Sequence, residues 1–134
     1  MNTPVDFEIA KLLKEKGFPQ TIISFLYYKP DGTPVDIHFA ADNKDFRQFC
    51  IYRPTIAEVI MWLYENHKIW IQVYPRKYNE LKLMWSYSLI KIENGYIIDG
   101  LEFPDIDTPI NIPVWVTPTE TFQEAIKYCL TNLL

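Results

Sequence analysis

The stretch "LMWSYSLIKIENGYIIDGL", Leu83 to Leu101, decides the fold. Its first half puts Leu83, Trp85, Tyr87 and Leu89 on one side, which is the two-residue period of a half-buried strand. Asn94-Gly95 then offers the residue pair that most readily takes positive φ at both centres of a two-residue turn, and "YIIDGL" follows. The segment reads as an antiparallel hairpin. Immediately upstream, "IWIQVY" alternates as well, with Ile69, Ile71 and Val73 on one side and Trp70, Gln72 and Tyr74 on the other.

Further out, "TIISFLYYK" and "PVDIHFA" flank "PDG", whose Gly32 suits a left-handed turn position, so these read as a second hairpin. After Leu101, Pro104, Pro109, Pro113 and Pro118 recur too often for a central strand, and part of "INIPVWV" is placed along an edge.

Three segments open with Thr and carry an acid three residues on: "TPVD" at Thr3, "TIAE" at Thr55 and "TPTE" at Thr117. The hydroxyl accepts an orphan amide proton, and the acid meets the helix dipole or reaches back to the cap. Helices are therefore predicted over residues 4–16, 55–67 and 118–133. The first should stop at Gly17 and bury Val5, Ile9, Leu12 and Leu13. The last buries Phe122, Ala125, Ile126, Cys129, Leu130 and Leu133 at a 3.6-residue period. The order is α-ββ-α-βββ-(β)-α: one α+β domain over residues 1–134, with an antiparallel sheet of about four to six strands and three helices.

Composition narrows the function classes. Of 134 residues, 49% are apolar and 16% aromatic, which is a globular balance. A net charge of −4 argues against a general polyanion binder, since phosphate contacts need Lys and Arg. The middle helix has neither from Pro54 to His67 and makes a poor recognition helix, so no nucleic-acid partner is expected. The opening residues lack the pattern of a secretory signal, and no apolar run is long enough to span a bilayer; a cytoplasmic setting and no membrane partner are expected. Cys50 and Cys129 read as two buried free thiols.

"KLLKEKGF", "PTIAEVIMWLYENHKIWIQVYP", "WSYSLIKI" and "PTETFQEAIKYCLTNLL" together resemble a group of small uncharacterised proteins of gut-bacterial phages and mobile elements. The resemblance covers a little under half the chain. It implies an intracellular accessory setting and carries no activity or functional residue with it.

The residues themselves offer two candidate sites. On the middle helix, Ile56, Ala57, Val59, Ile60, Met61, Leu63 and Tyr64 form a broad apolar arc, while Trp62 falls between Glu58 and Asn66 on the polar side. A tryptophan there is either covered by a neighbouring loop or exposed for a protein partner or for self-association, with Glu58 and Asn66 beside it. The second candidate is a ligand platform of Trp70, Tyr74, Trp85 and Tyr87 with Arg76; sheet packing is the more ordinary role for the same aromatics.

The remaining polar groups point to no chemistry. Asp36 and His38 share one side of the expected second hairpin, with Asp42 and Asp45 following, but two ligands make no metal site. Asp99, Glu102, Asp105 and Asp107 form an acidic loop without the spacing of a calcium loop. His67 ends the middle helix, where an imidazolium favours the dipole. No nucleotide, hydrolase or redox motif is present, and neither catalytic residues nor a cofactor is expected. The expectation is a small cytoplasmic interaction protein acting through Trp62; the alternative is a small-molecule or carbohydrate-processing enzyme using the aromatic sheet face.

Overall fold

The computed structural model describes residues 2–21, 26–80, 82–104, 115 and 117–134, with the backbone alone for residues 78, 79, 82, 98 and 99. It is an α+β fold in which every described strand pairing is antiparallel. Helix α1 (Phe7–Glu15) is followed by strand β1 (Tyr27–Tyr28), helix α2 (Ile37–Asp42) and strand β2 (Ile51–Tyr52). Helix α3 (Ile56–His67) leads into the meander β3 (Ile69–Asn79), β4 (Lys82–Glu93) and β5 (Tyr96–Phe103). Helix α4 (Pro118–Tyr128) runs on into a π-helical turn, Cys129–Leu133.

The meander forms as its alternation dictates. Ile71 pairs with Leu89 and Val73 with Tyr87, so these side chains share the inner face. Asn94 (φ 51°) and Gly95 (φ 80°) both take the left-handed conformation that the β4–β5 turn requires. β3 continues through Pro75 to Asn79; no described strand pairs with its other side, the position in a sheet where proline is tolerated.

Two of the three Thr caps form where expected. Thr55 accepts from Glu58 N while the Glu58 carboxylate takes Thr55 N at 2.7 Å, a complete capping box. Thr117 accepts from Glu120 N at 3.1 Å, with Pro118 at the first turn of α4. The first helix instead starts one turn late. Asp6 caps α1, accepting from Ile9 N at 2.9 Å. Thr3 to Val5 are drawn into an antiparallel bridge beside α3, where the Thr3 carbonyl takes Ile56 N and the Pro54 carbonyl takes Val5 N. At its other end α1 closes as expected: Gly17 (φ 89°) lets Phe18 N reach the Leu13 carbonyl at 2.9 Å.

The predicted second hairpin is only half formed. Its turn closes through Gly32 N to the Lys29 carbonyl, and Val35 N reaches the Tyr27 carbonyl. "PVDIHFA" then becomes α2 rather than a strand, because the Asp36 carboxylate caps it by accepting from Phe39 N at 2.7 Å. β1 pairs instead with β2, Tyr27 opposite Tyr52. Four α-helices are thus described where three were expected. Of "INIPVWV", only Trp115 lies within the described residues, and it bridges antiparallel to Trp85.

One buried cluster ties the elements together. It takes Val5, Ile9 and Leu13 from the N-terminal region, Val59, Ile60 and Leu63 from α3, and Ile69, Ile71, Tyr87 and Leu89 from the inner sheet face. Ala125, Ile126, Cys129 and Leu130 enter from the C-terminal helix. Leu133 departs from the predicted stripe and is 41% exposed, because the wider π turn rotates it away from the core line. Both cysteines are free and buried, and burial pushes the Cys129 thiol up to about 12. Among the described residues, no helix is long and apolar enough to cross a membrane.

Two outcomes test this core. Leu130 is fully buried, so Leu130→Ala should cost roughly 2–5 kcal/mol in chemical denaturation; a change of about 0.5 kcal/mol, the scale of surface substitutions, would show that α4 is not docked. The second outcome is alkaline sensitivity. An unfolded Cys129 loses its proton near its ordinary 9.0, whereas the folded one keeps it to about 12. The folded state holds the extra proton in that window, so stability is level below pH 9.0 and falls above it, by at most ~1.4 kcal/mol per pH unit for this group. Denaturant titrations across the window should show a decline that Cys129→Ala lessens.

Candidate functional site

The helix candidate is arranged differently from a bare exposed tryptophan. Trp62 is half-buried: Phe18, held by the end of α1, meets it edge-on at 5.2 Å, and the His67 ring lies 4.7 Å away. Phe18 also stacks on Tyr52 at 6.3 Å, which joins Trp62 to the aromatic core around β1 and β2. Glu58 is engaged locally, in the capping box and with Tyr52 Oη at 3.0 Å, and Asn66 Nδ2 donates to the Trp62 carbonyl at 3.1 Å. Burial, reinforced by Glu58, pushes the Tyr52 phenol up to about 12.

The exposed apolar side chains of α3 are others. Met61 is 45% exposed and Tyr64 38%, both at the margin of the arc predicted to be buried. Tyr64 meets Trp70, also 38% exposed, edge-to-face at 5.7 Å. A helix packed on a sheet covers only part of a broad apolar arc, and α3 turns its Ile56, Val59, Ile60 and Leu63 side inward.

The sheet divides the proposed platform. Trp70, Gln72, Tyr74 and Arg76 lie on the outer face, in register with Ile90, Ser88, Ser86 and Met84 of β4. Trp85 and Tyr87 belong to the opposite, inner face. There Tyr87 stacks on Phe103 at 4.9 Å and meets Trp115 at 5.2 Å, so it is core. Four aromatics on one surface is therefore not the arrangement; the outer face keeps Trp70, Tyr74 and Arg76.

On that face a polar bridge spans the sheet. Tyr74 Oη donates to the Glu102 carboxylate, and Arg76 Nη2 lies 3.0 Å from the same oxygen. Arg76 Nη1 also donates to the Pro104 carbonyl at 3.2 Å. These side chains of β3 reach β5 across β4, over two strand spacings of roughly 5 Å each. They can do so because β4 offers the small Ser86 and Ser88 there. Burial, then the Glu102 hydrogen bond, pushes the Tyr74 phenol up to about 12. Beside the bridge, Gln72, Ser88, Gly100 and Leu101 complete an open trough of about 480 Å³.

The acidic loop expected from the sequence is in part a strand. Asp99 and Glu102 belong to β5, while Asp105 and Asp107 lie outside the described residues. The strand placement of Asp36 and His38 also fails, since Asp36 is the cap of α2. Among the described residues, no three His, Cys, Asp or Glu side chains gather as a metal site. His67 is the last residue of α3, as predicted, and the following Lys68 takes the left-handed cap at φ 58° without a glycine to announce it. The Tyr74–Arg76–Glu102 bridge was missed from the sequence because it depends on the register of two strand pairs.

No family model, curated protein or solved structure matches this chain.

The two tryptophans separate in their expected effect on stability. Trp70→Ala, at an exposed margin, should change unfolding free energy by less than about 1 kcal/mol. Trp62→Ala, which strips Phe18 and His67 of a packed ring, should cost more than about 1 kcal/mol. Paired urea titrations decide, and equal losses would mean that the two rings are covered alike.

Proposed function

We propose that the protein is a small cytoplasmic binding protein, accessory to a phage or mobile element, that engages a protein partner through the outer surface of β3 and the adjoining margin of α3. The observation that carries this reading is the exposed Tyr64–Trp70 pair, with Met61 one helical turn away and Tyr74 and Arg76 along the same strand face. Trp, Tyr and Arg are the residues most enriched among interface hot spots, and a rigid aromatic pair loses little conformational entropy on docking. The partner surface is thereby moved from Trp62, whose ring already packs on Phe18, to Trp70 nearby.

Charge supports a protein partner ahead of nucleic acid. The chain carries a net charge of −4, and α3 contributes neither Lys nor Arg. The sequence resemblance supports the accessory setting. For the enzymatic alternative, the trough supplies Glu102, but that carboxylate is already held by Tyr74 and Arg76, which suits binding of a polar group better than proton transfer.

The test compares Trp70→Ala with wild type as bait in lysate of the source cells, alongside light scattering of each purified protein. A partner, or self-association, present with wild type and weakened by about 2 kcal/mol or more in the variant is expected. Identical capture and identical oligomeric state would remove Trp70 from the recognition surface.

A further inference from the structure

On the opposite face of the sheet, away from the surface proposed above, lies a more enclosed cleft of about 270 Å³. Its floor is the end of the inner sheet face, Ile69, Leu89 and Leu101. Leu133, swung out of the core by the π-helical turn, forms its wall. Such turns recur at functional sites because they reorient side chains that a regular helix would bury. Two polar side chains complete the lining: the ammonium of Lys91, opposite Ile69 in the β3–β4 register, and the imidazole of His67 at the end of α3. Leu134 closes one side, its main-chain oxygen held by Lys16 Nζ at 2.9 Å.

We propose that this cleft binds a small amphipathic monoanion, an apolar body lying on Leu89, Leu101 and Leu133 with its carboxylate directed at Lys91 and His67. Ligand pockets combine an apolar lining with a few placed polar groups, and this one has that composition. Its size sets the ligand. A methylene takes up roughly the 30 Å³ share of a water molecule, so the cleft holds a chain of about eight carbons. It falls just below the roughly 300–1,000 Å³ of sites for drug-sized ligands. Lys91 and His67 both line the cleft, so both can face a carboxylate seated there. Asp99 is the register partner of Lys91 on β5, which makes the preference for an anion the decisive property to measure.

Isothermal titration with octanoate and with octan-1-ol tests this on the intact chain, with methyl NMR shifts to locate the ligand. Octanoate should bind saturably, shift the Leu89, Leu101 and Leu133 methyls, and bind at least about tenfold more tightly than the alcohol, the scale of a charge-assisted contact. Lys91→Gln should weaken octanoate more than octanol and so reduce that preference. Leu133→Glu, at an exposed position that the fold tolerates, should weaken octanoate more than octanol. Equal affinity for acid and alcohol, shifts confined to other methyls, or absence of saturable binding would overturn the proposal. None of these readouts involves Trp70, so the result is independent of the partner surface.

Discussion

The docking of α4 against the inner face of β3 and β4 is the interaction on which the rest depends. A three-stranded meander with Ile69, Ile71, Tyr87 and Leu89 on one side must bury that face against another layer, and Ala125, Ile126, Cys129 and Leu130 supply it. The chain ends reinforce it: Asp6 N donates to Gln123 Oε1 at 3.1 Å, and Gln123 Nε2 to the Pro4 carbonyl at 3.3 Å. α1 and α3 close the remaining apolar area, and the bridge between Thr3–Val5 and Pro54–Ile56 holds those two regions together.

Covering one face of the sheet leaves the other to be managed by side chains. The outer face does this with the Tyr74–Glu102–Arg76 bridge over the serines of β4, which satisfies a carboxylate and a guanidinium at once. Trp70 stands outside that bridge, against Tyr64, where neither the core nor the polar network covers it fully. The recognition surface proposed for a protein partner is thus a by-product of how far α3 reaches over the sheet edge. The inner cleft has the same origin at the opposite end of the packing, where α4 widens into a π turn and stops filling the space above Leu89 and Leu101.

Much of the fold is legible because its signals are local. Asn94-Gly95 needs only its own dihedral preferences, Thr55 and Thr117 only a neighbour three residues away, and Gly17 only the end of its helix. Where a signal had two local solutions, the sequence misled. "PVDIHFA" alternates like a strand over too few residues to exclude a helix, and Asp36 decided for the helix by capping it. Thr3 has the pattern of a cap, yet its carbonyl is more useful to Ile56 N at the start of α3.

The candidate surfaces divide along the same line. The sequence by itself determined that Trp70, Gln72 and Tyr74 share one side of a strand and that Trp85, Tyr87 and Leu89 share one side of another, because side-chain alternation is a property of the single chain. Only tertiary structure decided which sides meet. Register set Tyr74 and Arg76 across from Glu102, and the packing of Phe18 covered Trp62 while Trp70 and Tyr64 stayed partly exposed. Such contacts join residues far apart along the chain, and their free energy belongs to the pair, so neither residue announces it alone.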